Sequence, residues 1–164
     1  MTIFLTSASR IEQLNKKRMY RLIDNELYQD DDGSIYLAWR GYTTDNFTWI
    51  NSNCWDIRCS HIHDVGCQYH RLVKINLIEN ELYRLGLLHA HGGMIVCEDI
   101  PLEYLEVVDI TGHEVNNLFY RMLRDADNPP TPKTVQCLYR AGVSLNLKWF
   151  RTVKNDLDLN KIYI

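Results

Sequence analysis

The chain has 164 residues, a length typical of one domain that is large enough to bury its own core. Its 46% hydrophobic and 24% charged residues indicate a globular protein, and a formal net charge of −3 argues against a general nucleic-acid-binding role. Five cysteines, an odd number at irregular spacing, favour reduced thiols in a cytoplasm over a disulfide framework.

The N-terminal residues, MTIFLTSASRIEQLNKKR, have a short apolar start followed by basic residues. This order is the reverse of that in a signal peptide, so we expect no secretion by that route. No apolar run approaches the roughly 18 residues that a membrane helix requires, so we expect no membrane span. We expect residues 1–18 to be a mobile N-terminal segment and residues 19–164 to form a single domain.

A β-hairpin is predicted at the start of this domain. Apolar residues partly alternate through residues 19–29 and 35–44, which is typical of strands with one buried face. Asp32 and Gly33 lie between the two segments and are a strong turn signal.

Helical periodicity begins after a loop rich in Asn and Thr. Apolar residues recur at helical intervals over residues 55–70, and residues 75–88 are predicted as a second helix. Residues 94–100, MIVCEDI, then predict a strand.

The clearest predicted helix covers residues 111–126. Thr111 and Glu114 form a capping box ahead of an apolar stripe with helical spacing. A last helix is predicted with Thr131 as its N-cap. These elements predict an α+β fold in which an N-terminal β-hairpin or small antiparallel sheet packs on a bundle of three or four helices.

Four potential zinc ligands lie on one face of the first predicted helix, in the segment CSHIHDVGCQYH. They are separated by four, four and three residues: Cys59, His63, Cys67 and His70. Ligands one helical turn apart can reach the same zinc ion. The alternative, which we favour, is a half-buried helix face in which the cysteines act as small hydrophobic residues.

A second histidine pair follows. If residues 87–93 are extended, His89 and His91 share one face and offer a second element for a metal. The alternative is a pair of solvent-exposed histidines beside a turn.

An ordered set of short motifs includes the adjacent His63 and Asp64. The motifs are GYTTDNFT at 41–48, HDVGC at 63–67, NNLF at 116–119 and AGVSLNLKW at 141–149. From about Met19 to Trp149 the chain resembles a family of phage and prophage proteins known only as a domain of unknown function. That family has G-F-x-T-D, then H-D-x-x-Y, then D-x-x-F. Here Cys67 stands in place of the tyrosine and Asn116 in place of the last aspartate.

The same helix pair is similar to that of secreted and bacterial phospholipases of the A-two type. This resemblance implies that His63 is the general base for a water, Asp64 a calcium ligand and Asn116 the residue that orients the imidazole. An amide accepts a hydrogen bond from imidazole but does not stabilise imidazolium by charge. We therefore expect Asp45 to lie near His63 and to supply this charge, as a further catalytic and metal-binding candidate.

A structural role explains the same residues without a reaction. A buried His63 that bonds Asn116 or Asp45 would hold two helices together, because buried polar groups require partners. On either interpretation, the helices that carry His63 and Phe119 should pack side by side.

We favour the structural role, and the resemblance then implies a phage-encoded accessory protein. It would be a virion or assembly component, or a small factor that acts in the infected cell. Its partners would be other phage or host proteins, and its location the bacterial host cytoplasm or the phage virion. The alternative function is a metal-dependent hydrolase with His63 as general base, using calcium or, less favoured, zinc.

Overall fold

The computed structural model describes residues 3–7, 9–14, 19–44, 56–126, 131–137 and 156–163. The strands in these ranges are β1 (Ile3–Phe4), β2 (Ile11–Gln13), β3 (Tyr20–Leu22), β4 (Glu26–Gln29), β5 (Ile35–Ala38), β6 (Thr43–Thr44), β7 (Arg71–Ile75), β8 (Leu88–His91), β9 (Met94–Cys97) and β10 (Leu105–Asp109). The α-helices with described bounds are α1 (Arg58–Tyr69), α2 (Glu79–Arg84) and α3 (Gly112–Asp125). Short 3-10 helices cover Leu102–Tyr104 and Leu159–Lys161.

Five strands form the main sheet in the order β1-β4-β5-β7-β10, and each neighbouring pair is antiparallel. A three-stranded sheet has the order β2-β3-β6, and β8 and β9 form a separate two-stranded sheet. The predicted α+β class with an antiparallel sheet is confirmed.

The predicted hairpin is formed by β4 and β5. Leu27 lies opposite Leu37, and both side chains are buried in the core. Gly33 has a φ of 84°, a conformation that glycine adopts without a Cβ clash. The Asp32 carboxylate accepts a hydrogen bond from the backbone N–H of Ser34 at 2.8 Å, which closes the turn.

Helix α1 packs against the main sheet and against α3. It contacts strands β5 and β7 of that sheet, and it also contacts α3. Gly66 permits this close approach, because a Cβ at that position would lie 2.3 Å from Cγ2 of Val115. The prediction that these two helices pack side by side is confirmed. The apolar stripe of α3 is buried as predicted, with Val115, Leu118 and Phe119 almost inaccessible to solvent.

The helix predicted over residues 75–88 is wrong over part of its length. Ile75 is the last residue of β7, and only Glu79–Arg84 is helical. β7 pairs with β5 and β10 in the sheet and packs against α1, and local periodicity does not reveal these long-range contacts. The strand over Met94–Cys97 is confirmed.

The N-terminal residues also differ from the prediction of a separate mobile segment over 1–18. β1 pairs with β4 in the main sheet, and β2 pairs with β3 in the second sheet. Leu5 is buried, and the ring of Phe4 lies 5.3 Å from that of Tyr28. The residues described between 3 and 14 therefore belong to the folded domain.

The last predicted helix is present over residues 133–137. The N–H of Gln136 donates to the carbonyl of Pro132 at 3.0 Å. The N-cap position is therefore Pro132 and not Thr131 as predicted. Among the described residues the buried hydroxyl of Thr131 has no hydrogen-bond partner, and its carbonyl accepts from the Gln136 side chain. Within the described ranges, no helix has both the length and the apolar character needed to cross a membrane.

Candidate functional site

Helix α1 carries an unusual number of polar side chains into the interior. Arg58, Ser60, His61 and His63 are all buried, alongside apolar residues of the same helix. Buried polar groups are stable only when they are paired, so the partners of these side chains define the candidate site.

His63 joins α1 to α3. Its Nε2 lies 3.1 Å from Oδ1 of Asn116, and the residue is only 4% exposed. The imidazole also packs on Phe119, with ring centroids 4.6 Å apart. The predicted proximity of His63 and Asn116 is therefore confirmed, and the bond lies within an apolar contact between the two helices.

Asp64 lies on the other side of the imidazole. Its Oδ1 is 3.8 Å from Nδ1 of His63. Its Oδ2 accepts a hydrogen bond of 2.5 Å from the hydroxyl of Thr44, the last residue of β6. The GYTTD motif thus contacts the HD motif through Thr44. Asp45, which we predicted to lie near His63, falls outside the described residues.

A second contact between the GYTTD motif and α1 lies one turn further along the helix. The hydroxyl of Tyr42 donates to the side-chain oxygen of Gln68 at 2.9 Å. Thr44 and Tyr42 therefore fix Asp64 and Gln68 from the same segment of chain.

Cys67 completes the cluster around His63. Its Sγ lies 3.5 Å from Nε2 and 3.8 Å from Nδ1 of the imidazole. Burial opposes protonation of His63, but Cys67 and Asp64 beside the ring raise its pKa to about 10. The arrangement therefore favours a positively charged imidazole between the sulfur of Cys67 and the carboxylate of Asp64.

A second buried polar group on α1 was not predicted from the sequence. Nδ1 of His61 lies 2.8 Å from Oε2 of Glu26 on β4, and both side chains are almost completely buried. Burial lowers the pKa of His61, but Glu26 raises it further, so the net shift is upward. The sequence signal was the alternation of polar residues in DIRCSHIHD, which leaves no face of the helix wholly apolar.

Arg58 adds a buried ion pair at the start of the same helix. Its guanidinium bonds both carboxylate oxygens of Asp56 and also donates to the backbone carbonyl of Thr6. It lies 4.2 Å from the centre of the Phe4 ring, within range of a cation–π contact. The N-terminal strand thus covers this charged pair.

Two residues of the zinc-like stripe, His63 and Cys67, lie in contact, whereas Cys59 and His70 have other surroundings. Cys59 is fully buried in the core, and burial raises the pKa of its thiol. His70 ends the helix with a φ of 54°. His89 lies on β8, which is extended as predicted, and its Nε2 is 2.7 Å from Glu98. Across the described ranges, no group of three or more His, Cys, Asp or Glu residues is arranged to hold a metal ion.

Comparison of the chain with protein-family models, with curated proteins and with solved structures gave no match. The resemblance to a phage protein family and to phospholipase helices therefore stays a prediction from the motifs.

Proposed function

We propose that this protein is a phage-encoded accessory protein whose His63 and Asp64 form part of its structural core. The observation that supports a structural role is the bond between His63 and Asn116, which joins α1 to α3 with the imidazole 4% exposed. The ordered motifs from Gly41 to Trp149 support the phage origin. The working role is that of a virion or assembly component, or of a small factor that acts in the infected cell.

The protein's location during infection tests the phage role. Virions from the encoding phage are purified, and the chain is measured by mass spectrometry in the virions and in infected cells. Presence in virions supports a virion component, and presence in cells alone supports an intracellular factor. Absence from both throughout infection contradicts the proposal.

Complementation of a phage that lacks the gene tests the role of His63. His63→Gln is expected to restore phage yield at low temperature and to fail at high temperature, in proportion to the amount of folded protein. Wild-type protein and His91→Gln, a change at an exposed histidine, are the controls. A His63→Gln protein that is folded and yet inactive at every temperature contradicts a purely structural role.

A hydrolase is the second candidate, because His63, Asn116 and Asp64 do lie together. The described residues around His63 and Asp64 do not form a metal-binding site. Calcium binds six to eight oxygen ligands, whereas Asp64 already accepts from Thr44, and the described chain provides no three-ligand metal group. The candidate is therefore a hydrolase with His63 as base, a role that requires the imidazole to lose the proton that Asp64 and Cys67 favour on it.

Purified protein assayed on ester, amide and phosphodiester substrates, with and without calcium or zinc, tests this candidate. Turnover that His63→Gln removes and His91→Gln preserves would support it. Turnover that His63→Gln leaves unchanged would contradict the assignment of His63 as base.

A further inference from the structure

Cys67 is the cysteine of the described chain that combines a neighbouring base with access to solvent. It lies one helical turn after His63, with Sγ 3.8 Å from Nδ1 and 3.5 Å from Nε2. It is half-buried, whereas Cys59 and Cys97 are buried. Cys137 is exposed.

Asn116 determines which nitrogen of His63 can accept a proton. The amide oxygen of Asn116 only accepts hydrogen bonds, so Nε2, 3.1 Å away, carries a hydrogen. Nδ1 is then the ring nitrogen that can hold a proton taken from a neighbouring acid. This nitrogen is the one that lies 3.8 Å from both Cys67 Sγ and Asp64 Oδ1.

Asp64 supplies the charge that the amide of Asn116 lacks. When Nδ1 takes a proton the ring becomes positive, and a carboxylate at 3.8 Å stabilises that form. Thr44 holds this carboxylate in place by its 2.5 Å hydrogen bond. The cluster therefore contains a thiol, a base, a residue that fixes the tautomer and a residue that stabilises the protonated ring.

We propose that Cys67 is a nucleophile that reacts with small soft electrophiles, with the proton of its thiol held on Nδ1 of His63 and Asn116 positioning the ring. Cys, His and Asn are the residue types that cysteine acyl-transfer enzymes combine for the same purpose. With iodoacetamide as the electrophile, a sulfur–carbon bond forms and the carbon–iodine bond breaks. Iodide leaves with the bonding electrons, and the proton that the thiol gave up stays on His63.

Alkylation of the native wild-type chain tests the proposal at pH 7. Iodoacetamide is added, the reaction is stopped over time, and peptide mass spectrometry gives a rate for each cysteine. Cys137 is the exposed reference, and Cys59 reports any unfolding. We expect Cys67 to react at least about tenfold faster than Cys137 while Cys59 stays unlabelled. A Cys67 rate equal to or below that of Cys137 overturns the proposal.

His63→Gln, with His91→Gln as its matched control, tests the assigned base. We expect His63→Gln to slow Cys67 by about tenfold or more with Cys59 still protected, and His91→Gln to leave the rate unchanged. An unchanged Cys67 rate in folded His63→Gln overturns the proposal. If labelling of Cys59 shows that this variant unfolds, Asp64→Asn decides instead: a slower Cys67 supports the proposal, and an unchanged rate overturns it.

Discussion

His61 and Glu26 form the most deeply buried charged pair of α1, and the pair links stability to pH. Burial acts against a charged His61, yet Glu26 holds its pKa above the ordinary value. A group whose pKa is raised by folding stabilises the folded state fully below its unfolded pKa, about 6.5 for histidine. This contribution is lost as the pH rises through the folded pKa.

We therefore expect the free energy of unfolding to be lower at pH 9 than at pH 6. Glu26→Gln removes the charge that holds the proton on His61, so it should reduce this difference. Urea unfolding of both proteins at the two pH values measures the effect. His89→Gln is the control, because its partner Glu98 is exposed and that pair should not alter the difference. An equal pH dependence in Glu26→Gln and wild type would contradict the assignment.

At the residue scale, the motifs predicted the His63–Asn116 contact but not the Glu26–His61 pair. The His63–Asn116 contact could be predicted because HDVGC and NNLF occur in a recognisable order. The second joins a residue of a predicted strand to a residue of a predicted helix that lies 35 positions away. Hydrophobic periodicity predicts where helices and strands lie in the sequence, but it does not predict which polar side chains contact each other inside the core.

At the element scale, Gly66 determines how closely α1 and α3 can approach. A Cβ at this position would lie 2.3 Å from Cγ2 of Val115, a distance that requires either the Val115 side chain or the helices to move. We expect Gly66→Ala to lower the free energy of unfolding by about 1–3 kcal/mol, despite the higher helix propensity of alanine.

Val115→Ala provides the matching test, because it removes the methyl groups that the new Cβ would meet. In urea unfolding, Gly66→Ala should cost less in the Val115→Ala background than in wild type. Equal costs in the two backgrounds would show that this contact does not limit the helix spacing.

The elements that periodicity predicted well are those whose burial follows from their own sequence. α3 has a capping box and a continuous apolar stripe, and both are present in the structure. β7, by contrast, was not predicted, and its last residue, Ile75, was assigned to the second helix, because RLVKI has no regular alternation. A central strand buried on both faces gives no period-two signal, so its identity depends on the neighbours β5 and β10.

At the scale of the whole molecule, the N-terminal strand closes one edge of the main sheet. Phe4 packs on Tyr28 and lies beneath the guanidinium of Arg58, while Thr6 accepts a hydrogen bond from that guanidinium. Sequence reasoning treated this region as separate because its strands are only two and three residues long. Strands this short do not show the alternation of apolar and polar residues from which a strand is predicted.

Removal of residues 1–7 should therefore destabilise the domain by at least about 2 kcal/mol, since it exposes Tyr28 and uncovers the buried Arg58–Asp56 pair. Removal of residues 1–2 alone, which precede β1, is the control and should have little effect. Thermal and urea unfolding of the two truncated proteins measure the difference. Equal stability of both would support a separate N-terminal segment after all.

The central claim is that His63 and Asn116 stabilise the fold by bonding α1 to α3. A double-mutant cycle with His63→Ala, Asn116→Ala and the double variant, followed by urea unfolding at pH 6, measures this coupling directly. We predict a coupling free energy of about 1–3 kcal/mol, the range for a buried hydrogen bond with a charged partner. A coupling indistinguishable from zero would contradict the structural role of the pair.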